Sequence, residues 1–200
     1  MSDWEIVVTR WQGETFATVR GPESRPTRWH CPEEGEWLGI RFNLGTFIPQ
    51  FPPGSLVDGS FNLPNATDSS FRLDGSSWDF PDFENVEFFV RRLVREGLLV
   101  REPVVHAALH GQLRDVSPRT ARRHFVRTTG LTQTAARQIE RARHASTLLL
   151  QGKSIPDAVF EAGYFDQAHL TRSLKRYIDR TPAELVRGLG LPLSYLYKTA

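Results

Sequence analysis

The chain has 200 residues, and its single cysteine excludes an internal disulfide. No apolar run approaches the roughly 18–20 residues of a membrane-spanning helix, and the first residues lack a signal-peptide pattern, so we expect a cytoplasmic protein without membrane contact. The formal net charge is only +2, yet residues 1–100 carry 9 Lys/Arg against 15 Asp/Glu, whereas residues 101–200 carry 16 against 8.

The composition changes near residues 81–84. All five Trp and eight of the thirteen Phe precede residue 84, and eight of the thirteen Pro lie between Pro22 and Pro81. An acidic half followed by a basic half is typical of a regulatory part joined to a part that binds a polyanion. We therefore predict a β-rich regulatory domain at residues 1–83 and an all-α domain at residues 84–200.

Short strand patterns fill the first eighty residues. Between residues 38 and 44, apolar side chains alternate with small or polar ones, as in a half-buried strand. Weaker strands are predicted at residues 5–9 and 15–19, and short ones at residues 56–57, 61–63 and 71–73, each next to turn residues. Such closely spaced strands predict a small antiparallel sheet or partial barrel.

The first half of the chain has few residues that could form a catalytic or metal site. His30 is the one histidine among the first hundred residues, whereas a metal-dependent β-barrel needs several converging His and carboxylate ligands. Cys31 has only its neighbour His30 as a base, so we expect no enzyme activity, metal or cofactor. The aromatic residues are expected to fill a core. The alternative is an apolar effector pocket lined by residues such as Trp29, Trp37 or Trp78.

The basic half begins with two helix patterns, at residues 83–95 before Gly97 and from Pro103 to just before Gly111. Ser117 followed by Pro118 then predicts a further helix start, and Gly130 ends that helix. Its outer side carries four Arg within nine positions, and no acidic residue lies between residues 117 and 138. A solvated surface usually mixes charges of both signs, so this face favours polyanion binding.

Three more helices are predicted. One covers residues 134–150 and would span about 25 Å, and the next begins at the N-cap Ser154 and ends at Gly163. Asp166 caps the last, in which residues 170, 174 and 177 share one face. The opposite face carries amide, hydroxyl and guanidinium groups, which read base edges in a major groove. A solvated amphipathic helix is the alternative for this stretch alone.

These motifs resemble the AraC/XylS family of bacterial transcription regulators. The resemblance spans residues 100–187. It is carried by residues 116–120 with Arg123 and Phe125, then by residues 129–132, 141–143, 148–149, 154–155, 158–159, 163–167, 169–170, 172, 174–175 and 181–182. It implies two helix-turn-helix units, at about residues 103–128 and 154–177, joined by a central helix. The first eighty residues are similar only in class to the variable regulatory half of such proteins, for which we expect a cupin-like partial barrel.

The resemblance also implies the base-reading side chains. In the first unit these are Arg119, Thr120, Arg122 and Arg123. In the second unit they are Gln167, Ala168, His169, Thr171 and Arg172. Two positions depart from the family pattern, because Asp115, in a long first turn, and Asp179, before Thr181-Pro182, stand where glycine is common.

We therefore expect an α+β protein that regulates transcription by binding specific sites in double-stranded DNA, with RNA polymerase as a further partner. A small-molecule effector at the N-terminal domain and a homodimer stay open. One alternative is a protein-interaction module with a degenerate helix-turn-helix domain, whose basic face binds an acidic partner. A small β-barrel enzyme is a weaker alternative, because the first half lacks histidines and paired acids.

Overall fold

The computed structural model describes residues 3–27, 34–109, 112 and 116–188. The chain forms two compact units, one made of Asp3–Glu23 and Arg28–Gln133, and the other of Met1–Ser2, Ser24–Thr27 and Thr134–Ala200. Residues 83 and 84, where composition predicts a domain boundary, lie inside the first of these units. Several residues used in the sequence predictions fall outside the described ranges, namely Trp29, His30, Cys31, Gly111 and Asp115.

The first unit contains nine strands among the described residues. In chain order they are β1 (Trp4–Trp11), β2 (Glu14–Arg20), β3 (Glu36–Phe42), β4 (Thr46–Phe47), β5 (Ser60–Asn62), β6 (Asn65–Thr67), β7 (Ser70–Leu73), β8 (Ser76–Asp79) and β9 (Val100–Arg101). The main sheet has the order β3-β1-β2-β5 and is antiparallel throughout. A three-stranded sheet β6-β7-β8 and the pair β4-β9 complete the β structure.

Two tight hairpins shape these sheets. β1 turns into β2 through Gln12-Gly13, with φ of 50° and 80°, and β7 turns into β8 through Asp74-Gly75, with φ of 50° and 74°. Two successive residues with positive φ form the type I′ turn, whose twist matches that of a hairpin. The β-rich region is thus confirmed, whereas the cupin-like barrel stays a prediction.

The predicted strands are found at residues 5–9, 15–19 and 71–73, and those at 38–44 and 61–63 are found up to residues 42 and 62. The strand predicted at residues 56–57 is wrong. These two residues follow a 3-10 helix, Pro53–Ser55, and the Leu56 backbone N–H bonds back to the Pro53 carbonyl at 3.0 Å. The chain curls there instead of extending, because the preceding prolines favour a turn.

Aromatic side chains fill the core of the first unit. Phe71 and Trp78 are 0% and 1% exposed, and the first helix, α1 (Val86–Arg95), adds Phe89 and Leu93. Trp78 meets the Phe89 ring edge-on, with the ring centroids 5.7 Å apart. The core interpretation therefore holds for Trp78, whereas Trp37 is half-buried and lines an open depression with Val8, Arg10, Leu38 and Phe83.

Glu5 is a buried carboxylate in the central strand β1. It lies in register between Arg20 on β2 and Arg41 on β3, and Arg20 Nη1 is 2.8 Å from Glu5 Oε1. Burial nevertheless raises the pKa of Glu5 above its ordinary value of 4.5, because lost hydration outweighs the attraction of the two arginines. The folded protein thus holds this proton more tightly than the unfolded chain does.

We expect Glu5→Gln to change how stability depends on pH. Because the pKa of Glu5 is raised on folding, its contribution to the free energy of unfolding falls as pH rises from 4.5 through the raised pKa. Glutamine does not titrate, so the variant keeps its free energy of unfolding where the wild type loses stability. The difference in free energy of unfolding, variant minus wild type, should therefore increase as pH rises from 4.5 through the raised pKa. Urea unfolding of both proteins at a series of pH values measures the difference, and a difference that stays constant would contradict the assignment.

The remaining helices are α2 (Pro103–Leu109), α3 (Pro118–Thr129), α4 (Gln133–Leu150), α5 (Ile155–Glu161), α6 (Gln167–Ile178) and α7 (Pro182–Val186). The second unit has its own apolar core, in which Ala142 and Leu149 of α4 meet Leu170 and Leu174 of α6. α7 has no counterpart in the predictions. Among the described residues, no helix is long and apolar enough to cross a membrane.

Candidate nucleic-acid interface

The ends of α3 are set by local hydrogen bonds and backbone geometry. Ser117 is the N-cap, and its side-chain oxygen accepts a hydrogen bond from the Thr120 backbone N–H at 3.2 Å. Pro118 occupies the first helical position, where its missing N–H costs nothing. Gly130 ends the helix in the left-handed conformation, with φ of 71°. Both predicted boundaries of this helix are confirmed.

α3 separates an apolar side from a basic side. Ala121 and Phe125 are buried, whereas four arginines on the other side are exposed: Arg119, Arg122, Arg123 and Arg127. Among the described residues, no carboxylate lies within 4 Å of any of these four guanidinium groups. Thr120 is half-buried, and its hydroxyl lies 2.9 Å from Ser117 Oγ. The helix thus presents positive charge that no nearby acid of the described chain neutralises.

Asp166 is the N-cap of α6, as predicted. Asp166 Oδ1 accepts a hydrogen bond from the His169 backbone N–H at 2.6 Å, which satisfies one of the unpaired donors at the helix start. Gly163, with φ of 67°, ends the preceding turn. Leu170 and Leu174 are completely buried, so one side of α6 is fixed to the core and the other side is directed outwards.

The five predicted reading residues of α6 differ in exposure. Gln167, Ala168 and Arg172 are exposed, whereas His169 and Thr171 are half-buried. The Thr171 hydroxyl donates to the Gln167 carbonyl at 2.8 Å, which leaves its oxygen able to accept a further bond. The His169 ring meets the Tyr164 ring edge-on at 5.1 Å. An amide, a guanidinium and a small apolar group therefore form the outer surface.

Two tyrosines fasten α6 within the second unit. The Tyr177 hydroxyl donates to Gln138 Oε1 on α4 at 2.6 Å, and the buried Tyr164 hydroxyl lies 2.8 Å from Ser173 Oγ. Beside these contacts, Arg141 of α4 and Arg176 of α6 join Arg172 around a depression. Neither Arg141 nor Arg176 is among the reading residues predicted from the sequence. Arg176 could have been found from its spacing, because it lies four residues after Arg172 on the same helix and therefore on the same face.

The C-terminal end of α6 explains one departure from the family pattern. Asp179 is its C-cap and adopts the left-handed conformation, with φ of 58° and ψ of 31°. Glycine takes this conformation without steric cost, whereas an L-residue with a Cβ does not. The position where a glycine is common thus keeps the geometry that favours glycine.

We expect Asp179→Gly to raise the free energy of unfolding by up to about 1 kcal/mol, because it removes left-handed strain from Asp179. Thermal or urea unfolding measures the change. Asp179→Ala serves as the control, since it removes the same carboxylate but keeps the strain. The half-buried pair between Asp179 and Arg180 is long, at 3.9 Å, and adds little to stability. Equal stabilisation by both variants would show that conformation is not the cause.

Residues 114–188 match the family model of a helix-turn-helix domain of the AraC type. The match includes α3 to α7 and leaves out α1, α2 and every strand. Comparison with curated proteins and with solved structures gives no significant match. Over these residues, the finding supports the predicted AraC-like helix-turn-helix and points to a DNA-binding transcription regulator.

Proposed function

We propose that this protein regulates transcription by binding specific sites in double-stranded DNA through α3 and α6. The observation that carries the proposal is the division of α6, inside the matched helix-turn-helix domain. Buried Leu170 and Leu174 hold one side, Ala168 and Arg172 are exposed on the other, and Gln167 is exposed at the first position of the helix. These exposed groups have the chemistry that distinguishes base pairs in a major groove.

The proposed base-reading set is the one implied by the sequence: Arg119, Thr120, Arg122, Arg123, Gln167, Ala168, His169, Thr171 and Arg172. Within it we assign direct base contacts to Arg123, Gln167 and Arg172. Guanidinium groups suit guanine, and amides suit adenine. The other basic side chains fix the register of the protein on the phosphates.

We also propose that two helix-turn-helix units act together, as the sequence resemblance implies. α2 contacts α3, and α5 contacts α6, so each proposed reading helix has the partner helix that this motif requires. α4 has 18 residues and is about 27 Å long at 1.5 Å per residue. This length is of the order of the roughly 34 Å between successive major-groove segments.

Residues 1–83 would then form the regulatory domain that a small effector controls. The open depression at Trp37 and Phe83 supports this assignment, because it combines aromatic walls with polar groups such as Arg10. A regulator of this kind would also contact RNA polymerase and, as a homodimer, would bind a site with two-fold symmetry.

Selection of bound sites from random or genomic duplexes tests the proposal. The full chain should enrich one sequence motif at a fixed salt concentration, which must be stated because phosphate contacts make affinity depend strongly on salt. Enrichment of no motif would instead favour the protein-interaction module, because a basic face alone does not distinguish one duplex from another.

A further inference from the structure

A cluster of basic side chains lies at the edge of the reading side of α6 and includes two arginines outside the base-reading set, Arg141 and Arg176. Arg141 of α4 faces His169, Arg172 and Arg176 of α6 across a depression of about 250 Å³. On α6 these residues recur at i, i+3 and i+7, so they form one stripe along the helix. In the described parts of the chain, no acidic side chain lies within 4 Å of these four groups. Their positive potential is therefore unopposed at short range.

Arg141 is the best-anchored member of this cluster. Its guanidinium carbon lies 4.5 Å from the centroid of the Tyr164 ring, and Tyr164 is itself 6% exposed. A guanidinium group held on an aromatic face is already ordered, so it loses little additional conformational freedom when it binds a ligand. The cation is therefore oriented before any ligand arrives.

The same side chain has an unmet hydrogen-bonding need. Its Nε is buried, and none of the described residues accepts a hydrogen bond from it. A buried donor on a charged group destabilises the protein if it stays unpaired. The Nε itself has almost no accessible surface, so an anion in the depression would act through the charge of the guanidinium group and would offset the repulsion among the three arginines.

We propose that Arg141 and Arg176, with His169, hold one backbone phosphate of the DNA strand that borders the major groove entered by α6. Guanidinium groups bind phosphate oxygens through two parallel hydrogen bonds. The depression adjoins Arg172, at the edge of the reading side, and phosphates border every groove that a helix reads. The inference rests on the proposed function and adds α4 to the DNA-contacting surface.

This assignment separates two kinds of arginine on α6. Arg172 lies at the boundary and reads a base, whereas Arg176, four residues further along, holds the backbone. A phosphate contact carries no sequence information, so its loss weakens binding to all duplexes alike. A base contact, by contrast, changes the preference among sequences.

The test measures affinity of the full chain for a duplex of random sequence by fluorescence anisotropy at several NaCl concentrations. Because both guanidinium groups are needed to hold the one phosphate, Arg141→Ala and Arg176→Ala should each lose that contact and make the slope of log K against log salt shallower by about 0.9. Between 50 and 200 mM NaCl, wild-type affinity should then fall about 3–4-fold more than that of either variant. Preference among sequences should stay as in wild type.

Arg143→Ala is the matched control. Arg143 lies on the same helix, two residues from Arg141, and pairs with Glu140 at 3.0 Å. Arg143→Ala removes the same charge, but Arg143 lies outside the proposed phosphate site, so the slope of this variant should equal that of wild type. An equal reduction in Arg143→Ala would mean that the slope follows net charge alone and would overturn the assignment. Arg176 is exposed, so its variant decides the question even if Arg141→Ala fails to fold.

A free anion is the other source of the same chemistry. In that case millimolar inorganic phosphate, at constant ionic strength, would raise the melting temperature of wild type but not of Arg141→Ala, and both variants would keep the wild-type slope. Unchanged slopes overturn the DNA phosphate contact and leave the proposed function standing. If wild type binds duplexes but enriches no motif, the proposed function fails while the slopes still decide the phosphate contact.

Discussion

Arg172→Ala is expected to weaken binding to the preferred site by about 1–3 kcal/mol, or roughly 5–150-fold, and to relax selectivity at one base pair. The side chain is exposed on α6, while Leu170 and Leu174 on either side of it in sequence are fully buried. The helix therefore holds Arg172 in a fixed place, as a bidentate contact to guanine requires. Competition among sites with single base-pair changes measures both effects.

Arg123→Ala is the corresponding variant in α3. It should also weaken binding, but it should relax selectivity at a different base pair. Lys153→Ala is the control, because Lys153 lies outside both helices and pairs with Glu161 at 2.7 Å. It lowers the net charge equally but should leave selectivity unchanged. Wild-type affinity and selectivity in both arginine variants would exclude the proposed reading roles.

The helix starts were predictable because each depends on a contact between residues three positions apart. The side chains of Ser117, Ser154 and Asp166 each accept a hydrogen bond from the third residue of the helix that follows. Side chains suited to this role are recognisable in the sequence itself. The same holds for part of the exposed side of α6, since helical periodicity places Ala168 and Arg172 opposite the buried leucines. Gln167, three residues before Leu170, is exposed at the first position of the helix.

Two further elements, the β7–β8 hairpin and α7, also have local sequence signals, although neither was predicted in full. Asp74-Gly75 is a strong hairpin signal, and it produces the β7–β8 hairpin that the strand predictions included only in part. Thr181 and Glu184 form a capping box at the start of α7, with Thr181 N–H donating to Glu184 Oε2 at 2.6 Å. That bond also lowers the pKa of Glu184.

What the sequence could not supply is the set of contacts between distant segments. Strands as short as β4 and β9 exist only because they pair with each other, through Thr46 with Arg101 and Phe47 with Val100, residues more than fifty positions apart. The group formed by Arg141, Tyr164 and Arg176 likewise depends on how α4 packs against α6. Neither periodicity nor capping encodes such packing, so this part of the candidate site became visible only in the structure.

The end of α3 shows how such a distant contact can determine stability. Gly130 has φ of 71°, and a Cβ built on it would lie 2.8 Å from the Gly54 Cα, 3.0 Å from the Pro53 carbonyl oxygen and 2.4 Å from Val57 Cγ2. Two of these atoms belong to backbone, which cannot rotate away as a side chain can. Both the backbone conformation and the space at residue 130 therefore require glycine.

We expect Gly130→Ala to lower the free energy of unfolding by roughly 2–5 kcal/mol, from about 1–2 kcal/mol of left-handed strain and about 1–3 kcal/mol of overpacking. Gly152→Ala is the matched control, because Gly152 also follows a helix, has φ of 88° and has no atom within 4 Å of the added Cβ. Gly152→Ala should therefore lose only the part of the stability that comes from left-handed strain, about 1–2 kcal/mol. Urea unfolding of both variants measures the difference, which isolates the packing of α3 against the 3-10 helix. Equal losses would mean that the contact at Gly54 contributes nothing, and that α3 is held by its own core residues alone.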